Sequence, residues 1–454
     1  MNTPNRGLAT VAVCLCASGS IAGPPATDWE EVVGALKARI ADLEARDQHK
    51  TEVITSLQGE VRSLSNDDWL TEQRAAQIQA MVEDVLADAD TRASLQADPQ
   101  TAGWNKGFYV ASADGNFLLK ISGTLQFKWA YNRVRDTGLD SELWGFSNRR
   151  TALRFGGHVV DPSWKYFVQA NFGASGGTFT LLDAYVDKTL GAGWRVRAGG
   201  FKLPFLREQL LPFNNLLAVE RSLVADVFGV GRSQGVMAIY EQEHFRVGAA
   251  LSDGLGAIGG TDVPALTADT DWSVTARIEG TVGEGDWLRY DDYTTWDGMN
   301  PGVYLGAAIH WEQSEFGTAA VESEVFRWTF DVETQFARTS IFAAVMGNHT
   351  NPTTGPGVDQ YGVVIQAGTM IGEHWEPFAR YEWADADGAG SNLSLLTVGF
   401  ARYISGQRLK WTNDAGYAFE PVSVLFANTV KDWREDTAGA SGQFVIRSQF
   451  QLLF

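Results

Sequence analysis

The last eleven residues, Phe444-Val-Ile-Arg-Ser-Gln-Phe-Gln-Leu-Leu-Phe454, alternate in character. Phe444, Ile446, Phe450, Leu452 and Phe454 fall on one face of an extended chain, and Arg447, Gln449 and Gln451 fall on the other. A soluble protein rarely closes on such a strand, whereas a transmembrane barrel needs one that faces lipid outside and a wet lumen inside. Within the 454 residues no run of about eighteen apolar residues lies beyond the N-terminal region, so any crossing falls to strands. The expected fold class is an all-β transmembrane barrel of about sixteen antiparallel strands, preceded by an N-terminal α-helical coiled coil.

The same alternation runs from Phe117 to Tyr131, with Leu119, Ile121, Leu125, Phe127, Trp129 and Tyr131 on one side and Lys120, Thr124, Gln126 and Lys128 on the other. That length is unusual for a soluble strand and natural for a tilted membrane strand. Connections alternate in length, as they must if every second one faces the periplasm. Val160-Asp-Pro-Ser, Leu190-Gly-Ala-Gly, Gln242-Glu-His, Ile371-Gly-Glu-His and Ile404-Ser-Gly-Gln read as short turns. Residues 133–148, 202–232, 253–270, 313–324, 349–358 and 415–441 read as longer loops, and the stretch from Val282 to Pro301 is too long for its place in that parity. Tryptophans and tyrosines gather near strand ends, where interfacial belts require them.

Ahead of the barrel, Arg6 and the apolar Leu8–Cys16 stretch with Ser20-Ile21-Ala22 read as a signal peptide over 1–22, after which no cysteine remains. From Val33 a heptad carries Val33, Ile40, Ile54 and Val61 at one core position and Leu36, Leu43, Leu57 and Leu64 at the other, interrupted by Asp47 and Lys50. A second amphipathic stretch runs from Ile78 to about Leu95. Residues 23–103 are therefore expected to form a periplasmic helical stalk, with 104–454 as the barrel. A net charge of −19 gives no basic footprint, so nucleic acid is not an expected partner.

Arg149-Arg-Thr-Ala-Leu-Arg-Phe-Gly-Gly157, Leu182-Asp-Ala-Tyr-Val186, Arg197-Ala-Gly-Gly-Phe-Lys-Leu-Pro-Phe205 with Glu208, and Glu220-Arg-Ser222 before Gly231-Arg-Ser-Gln-Gly235 resemble the phosphate-selective porin O and P family. The resemblance covers residues 104–454. It implies a trimeric outer-membrane porin, a water-filled channel for ions and small polar solutes, with its third long loop folded into the lumen. The residues of that loop support this on their own terms: Phe205, Leu206, Leu210, Leu211, Phe213, Leu216 and Leu217 need something to pack on.

On the inward phase of the first strands lie Lys120, Lys128, Arg150, Arg154, Lys165, Arg195 and Arg197, with Asp183 among them. Later strands offer Glu279, Asp331, Glu333, Glu376 and Glu382 beside Arg277, Arg327, Arg380 and Lys410. A basic arc facing an acidic one would set a transverse field across the lumen. The candidate constriction comprises Arg150, Arg154, Asp183, Arg195, Arg197, Lys202, Arg207, Glu208, Glu220 and Arg221, giving either a weak anion preference or mutually paired charges. The Gly254–Gly259 match to a dinucleotide fingerprint lacks a following helix, and no metal spacing or nucleophile elbow occurs, so neither catalysis nor a cofactor is expected. Two alternatives stay open: a tethering protein that grips cell-wall material through its stalk, and a soluble secreted β-rich binding protein.

Overall fold

A computed structural model describes residues 100–454, except 136–140, 174–177, 256–267, 286, 317–321, 386, 388–391 and 438. The chain divides into Met1–Thr71 and Glu72–Phe454. In the first unit Gly34, Lys37, Ala41 and residues 54–56 are described, and all are helical. The signal peptide and most of the heptad stretch lie outside the described residues.

Two short strands come first, β1 (Gln100–Trp104) and β2 (Phe108–Ser112), paired as a hairpin. Then follow β3 (Leu118–Arg133), β4 (Glu142–Val159), β5 (Asp161–Phe172), β6 (Phe179–Gly191), β7 (Trp194–Lys202), β8 (Arg232–Glu241), β9 (Phe245–Ser252) and β10 (Ala268–Gly283). The second half comprises β11 (Gly302–Phe316), β12 (Glu322–Phe336), β13 (Thr339–Pro352), β14 (Val358–Thr369), β15 (Trp375–Asp385), β16 (Leu393–Ser405), β17 (Leu409–Ala418) and β18 (Phe444–Leu453). Each strand from β3 onward pairs antiparallel with the next, and β18 returns to β3 from Phe444↔Arg133 to Leu453↔Thr124. The result is a closed ring of sixteen strands with no open edge, which hydrocarbon demands of any strand assembly.

The C-terminal strand carries the expected faces. Ile446 and Phe450 are 42% and 44% exposed on the outside, while Arg447 and Gln451 are each 1% exposed within. Aromatic clusters mark both ends of the wall: Trp272 against Trp311 at the long-loop end, and Trp194 against Tyr240 and Trp375 against Phe400 at the short-turn end. Two short turns place consecutive residues at positive φ, Ala192-Gly193 and Ala337-Arg338, the twist-matched geometry of a two-residue hairpin.

The strand-to-strand parity holds throughout. Residues 284–301 join β10 to β11 at the short-turn end, and their length is accounted for because they fold into the barrel. Tyr290 and Tyr293 are buried. Arg277 Nη2 donates to Tyr290 Oη at 2.8 Å, Thr294 Oγ1 bonds Tyr403 Oη at 2.8 Å, and Gln407 Nε2 donates to Asp292 at 3.0 Å. Several expected loops are shorter than read, because strands run past the belts: β4 starts at Glu142 and β13 extends to Pro352.

Candidate functional site

Residues 203–231 leave β7 at the long-loop end and turn back into the barrel. Phe205, Leu206, Leu211, Leu217, Leu223 and Phe228 are buried there. Ser222 caps the helical turn Leu223–Phe228 by accepting from the Ala225 amide. The Glu208 carboxylate accepts from the Ser222 amide at 2.7 Å and its hydroxyl at 2.6 Å, so the two halves of the loop lock together.

The far wall holds this loop through its backbone. The Val219 amide donates to Asp414 Oδ2 at 2.8 Å, and the Leu223 amide to Glu382 Oε2 at 2.6 Å. Lys410 Nζ donates to the carbonyls of Asn214 at 2.8 Å and Leu216 at 3.0 Å. Arg380 reaches the Glu220 carbonyl at 2.8 Å, and Arg277 the Phe205 carbonyl at 2.7 Å. Arg207 pairs with Glu333 and stacks on the Tyr290 ring at 3.6 Å. The acidic arc therefore does not face open water across the lumen. Glu333, Glu376 and Glu382 are at most 1% exposed, each with partners in the loop, in residues 284–301 or on a neighbouring strand. Loop amides and guanidinium groups compete for these carboxylates better than bulk water does once the loop is inside.

On the opposite side Glu220, fully buried, collects three cations: Arg149, Arg150 at 2.7 Å and Lys128 at 3.3 Å. Burial would raise its carboxyl, but Arg150, Arg149 and Lys128 outweigh that and hold it well below the usual range. Strict alternation would send one of two adjacent arginines into lipid. A bulge on β4 prevents this, since Gln126 pairs with Arg150 while Phe127 pairs with Asn148, leaving Arg149 as the extra residue.

Arg195 and Arg197 meet on one carboxylate that sequence reasoning passed over, Asp187, at 3.0 and 2.7 Å. Arg197 also lies 3.7 Å over the Tyr185 ring. Asp183 takes a two-pronged contact from Arg232, both bonds at 3.0 Å. Arg149, Asp187 and Arg232 are thus the additions to the expected set. Asp187 was readable from its phase with Asp183, whereas Arg149 was hidden by the bulge.

Three cations make only neutral contacts among the described residues. Arg154 donates to Gln169 Oε1 at 3.0 Å and Thr124 Oγ1 at 2.8 Å. Lys202 donates to the carbonyls of Leu210 at 3.1 Å and Leu211 at 3.2 Å. Arg221 donates to the carbonyls of Glu208 and Leu211, both at 2.7 Å. These side chains line a string of cavities beside the loop. A cavity of about 400 Å³ nearer the long-loop end, bordered by Arg221, Asn428 and Lys431, shares Lys202, Phe213 and Arg232 with one of about 570 Å³. The latter shares Arg154 and Asn214 with a third of about 310 Å³ at the short-turn end, bordered by Lys106, Arg408 and Phe454. Arg150 and Arg154 flank the Phe213 ring at 5.3 and 5.0 Å from its centroid. No group of three His, Cys, Asp or Glu side chains suited to a metal occurs among the described residues. Most of the Gly254–Gly259 stretch lies outside them.

Residues 121–293 match the sequence model of a family described as phosphate-selective porin O and P. The curated proteins contain no match to the sequence. Among solved structures, the chain is similar to an anion-selective porin from Comamonas acidovorans at a TM-score of 0.57 and 13% identity, over 74% of this chain and 99% of that one. It is similar to in-vitro folded OmpT, an outer membrane protein of Vibrio cholerae, at 0.51 and 11% identity, over 77% and 98%. The outer membrane channel DcaP of Acinetobacter baumannii follows at 0.50 and 11%, over 74% and 97%. At these identities the likeness establishes the fold.

Proposed function

We propose, since residues 121–293 belong to the phosphate-selective porin O and P family, that this chain is a passive diffusion channel of an outer membrane that carries small polar solutes and prefers anions. One observation carries the preference: Arg154, Lys202 and Arg221 line consecutive cavities and contact only neutral groups. These side chains are partly exposed beside the cavities, so their positive charge acts on passing ions. A mobile anion passing along the cavities is attracted by the excess of cations over the carboxylates there, and a mobile cation is repelled.

Three copies form the working unit in this reading. The long-loop end faces outward, the short-turn end faces the periplasm, and residues 23–99 form a helical stalk on the periplasmic side after removal of 1–22, the expected end at 103 being drawn back because Gln100–Trp104 is strand β1. The heptad supports the stalk, and β1 and β2 emerge beside the start of β3, at the short-turn end. Planar-bilayer recording of the detergent-extracted protein in a potassium chloride gradient tests the channel. A reversal potential of anion sign, openings in groups of three, and a shift toward neutrality in Lys202→Ser are expected. Cation selectivity in the native protein, or silence from a folded barrel, would overturn the reading.

A further inference from the structure

The cavity of about 570 Å³ is not lined by charge alone. Phe167, Tyr185, Met237 and Ile239 border it from the wall, and Pro204 and Phe213 border it from the loop. The strand register sets Phe167 opposite Tyr185, with ring centroids 5.5 Å apart, and Ile239 opposite Gly248, where the missing side chain leaves room. Met237 and Ile239 are 5% and 6% exposed, so β8 turns apolar side chains inward, where a water-filled channel calls for polar ones.

Polarity changes along the route. The cavity of about 400 Å³ is bordered by Arg149, Arg150, Arg221 and Lys431 and by none of the four apolar wall residues. Lys202, Arg232 and Phe213 stand where the two cavities meet. Hydrated inorganic ions gain nothing from the apolar stretch, because thioether, alkyl and ring carbons cannot replace a hydration shell. Phosphate finds donors in the guanidinium groups of this cavity but gains nothing from its ring and alkyl carbons. A cavity of this size, where an apolar patch on β8 and the loop adjoins a wall rich in guanidinium groups, fits an organic molecule that carries both an apolar body and a negative charge.

We propose that the preferred solute is an organic anion with a flat apolar body, an aromatic monocarboxylate in class; this rests on the anion-channel reading above. Its carboxylate engages Lys202 at the junction, beside the Arg232–Asp183 pair, while its ring lies against Met237 and Ile239, with Phe213 on the loop side.

Block of the chloride current by benzoate, acetate and inorganic phosphate, measured on the full-length protein in bilayers, tests the idea. Benzoate and acetate carry the same charge and differ in the ring. Benzoate is expected to block about tenfold more strongly than acetate, the scale of partly burying one ring. The variant Met237→Gln with Ile239→Asn should bring benzoate down to the acetate level while the chloride reversal potential stays unchanged. Equal block by benzoate and acetate in the native protein overturns the proposal and leaves anion selectivity intact. Loss of anion selectivity in the native protein would instead sink the channel reading beneath it. The native comparison needs no variant to fold, and a heat-modifiable gel band verifies that the double variant has folded.

Discussion

The backbone amide of Val219 donates to Asp414 Oδ2 at 2.8 Å, joining the centre of the inserted loop to a strand 195 positions later. The other oxygen of Asp414 accepts from Arg447 Nε at 2.6 Å, so one buried carboxylate serves the loop and the last strand together. Asp414→Ala leaves a buried amide and a buried guanidinium group unpaired, a loss of about 3–5 kcal/mol. A lower heat-denaturation midpoint and noisier, larger single-channel currents are expected. An unchanged midpoint would mean the loop is held without this bond.

Asp187 is shared by Arg195 and Arg197 and offsets one of their two positive charges. Asp187→Asn releases both cations toward the cavity of about 570 Å³ and should raise the anion-to-cation permeability ratio read from reversal potentials. By the same count, changing Arg195 and Arg197 to Ser takes this trio from one net positive charge to one net negative charge and should lower the ratio more than Lys202→Ser does.

Glu220→Gln removes the anion shared by Arg149, Arg150 and Lys128. Three neighbouring cations without it should cost about 3–5 kcal/mol or more. Refolding yield into detergent micelles checks this, and a full yield would count against the cluster as a structural centre.

Burial raises the Asp292 carboxyl in residues 284–301 to about 6 from an ordinary 3.8. The folded protein therefore holds this proton more tightly than the unfolded chain does. Stability from that group is complete below the unfolded value and is lost as pH rises through about 6. Thermal midpoints should fall across that window in the native protein, and Asp292→Asn should flatten the slope. A slope of equal size in the variant would assign the dependence to another group.

Much of the barrel was legible because a strand's two faces repeat every second residue: Ile446 and Phe450 outside, Arg447 and Gln451 inside, follow from the sequence alone. The inward loop was legible from its leucines and phenylalanines, which had no other place to pack. Arg149 was not, because a single extra residue on β4 reverses the phase locally and leaves no mark in composition. The use of the acidic arc was also invisible, since Glu382 and Asp414 are satisfied by backbone amides, which every sequence possesses. The position of residues 284–301 inside the barrel could only be suspected from their length.

The loop is hydrogen-bonded to β10, β12, β15, β17 and β18, whereas β5, β6, β8 and β9 make no hydrogen bond to it among the described residues. Sequence change on the two sides is therefore filtered by different tests. A substitution on the holding side must first pass assembly of the barrel, and a neutral one there alters little that a cell can detect. On β5 and β6 the side chains that face the cavities can be exchanged without breaking a hydrogen bond to the loop, so a lineage meeting a new nutrient has there a stretch of wall where uptake can drift at small risk to the fold.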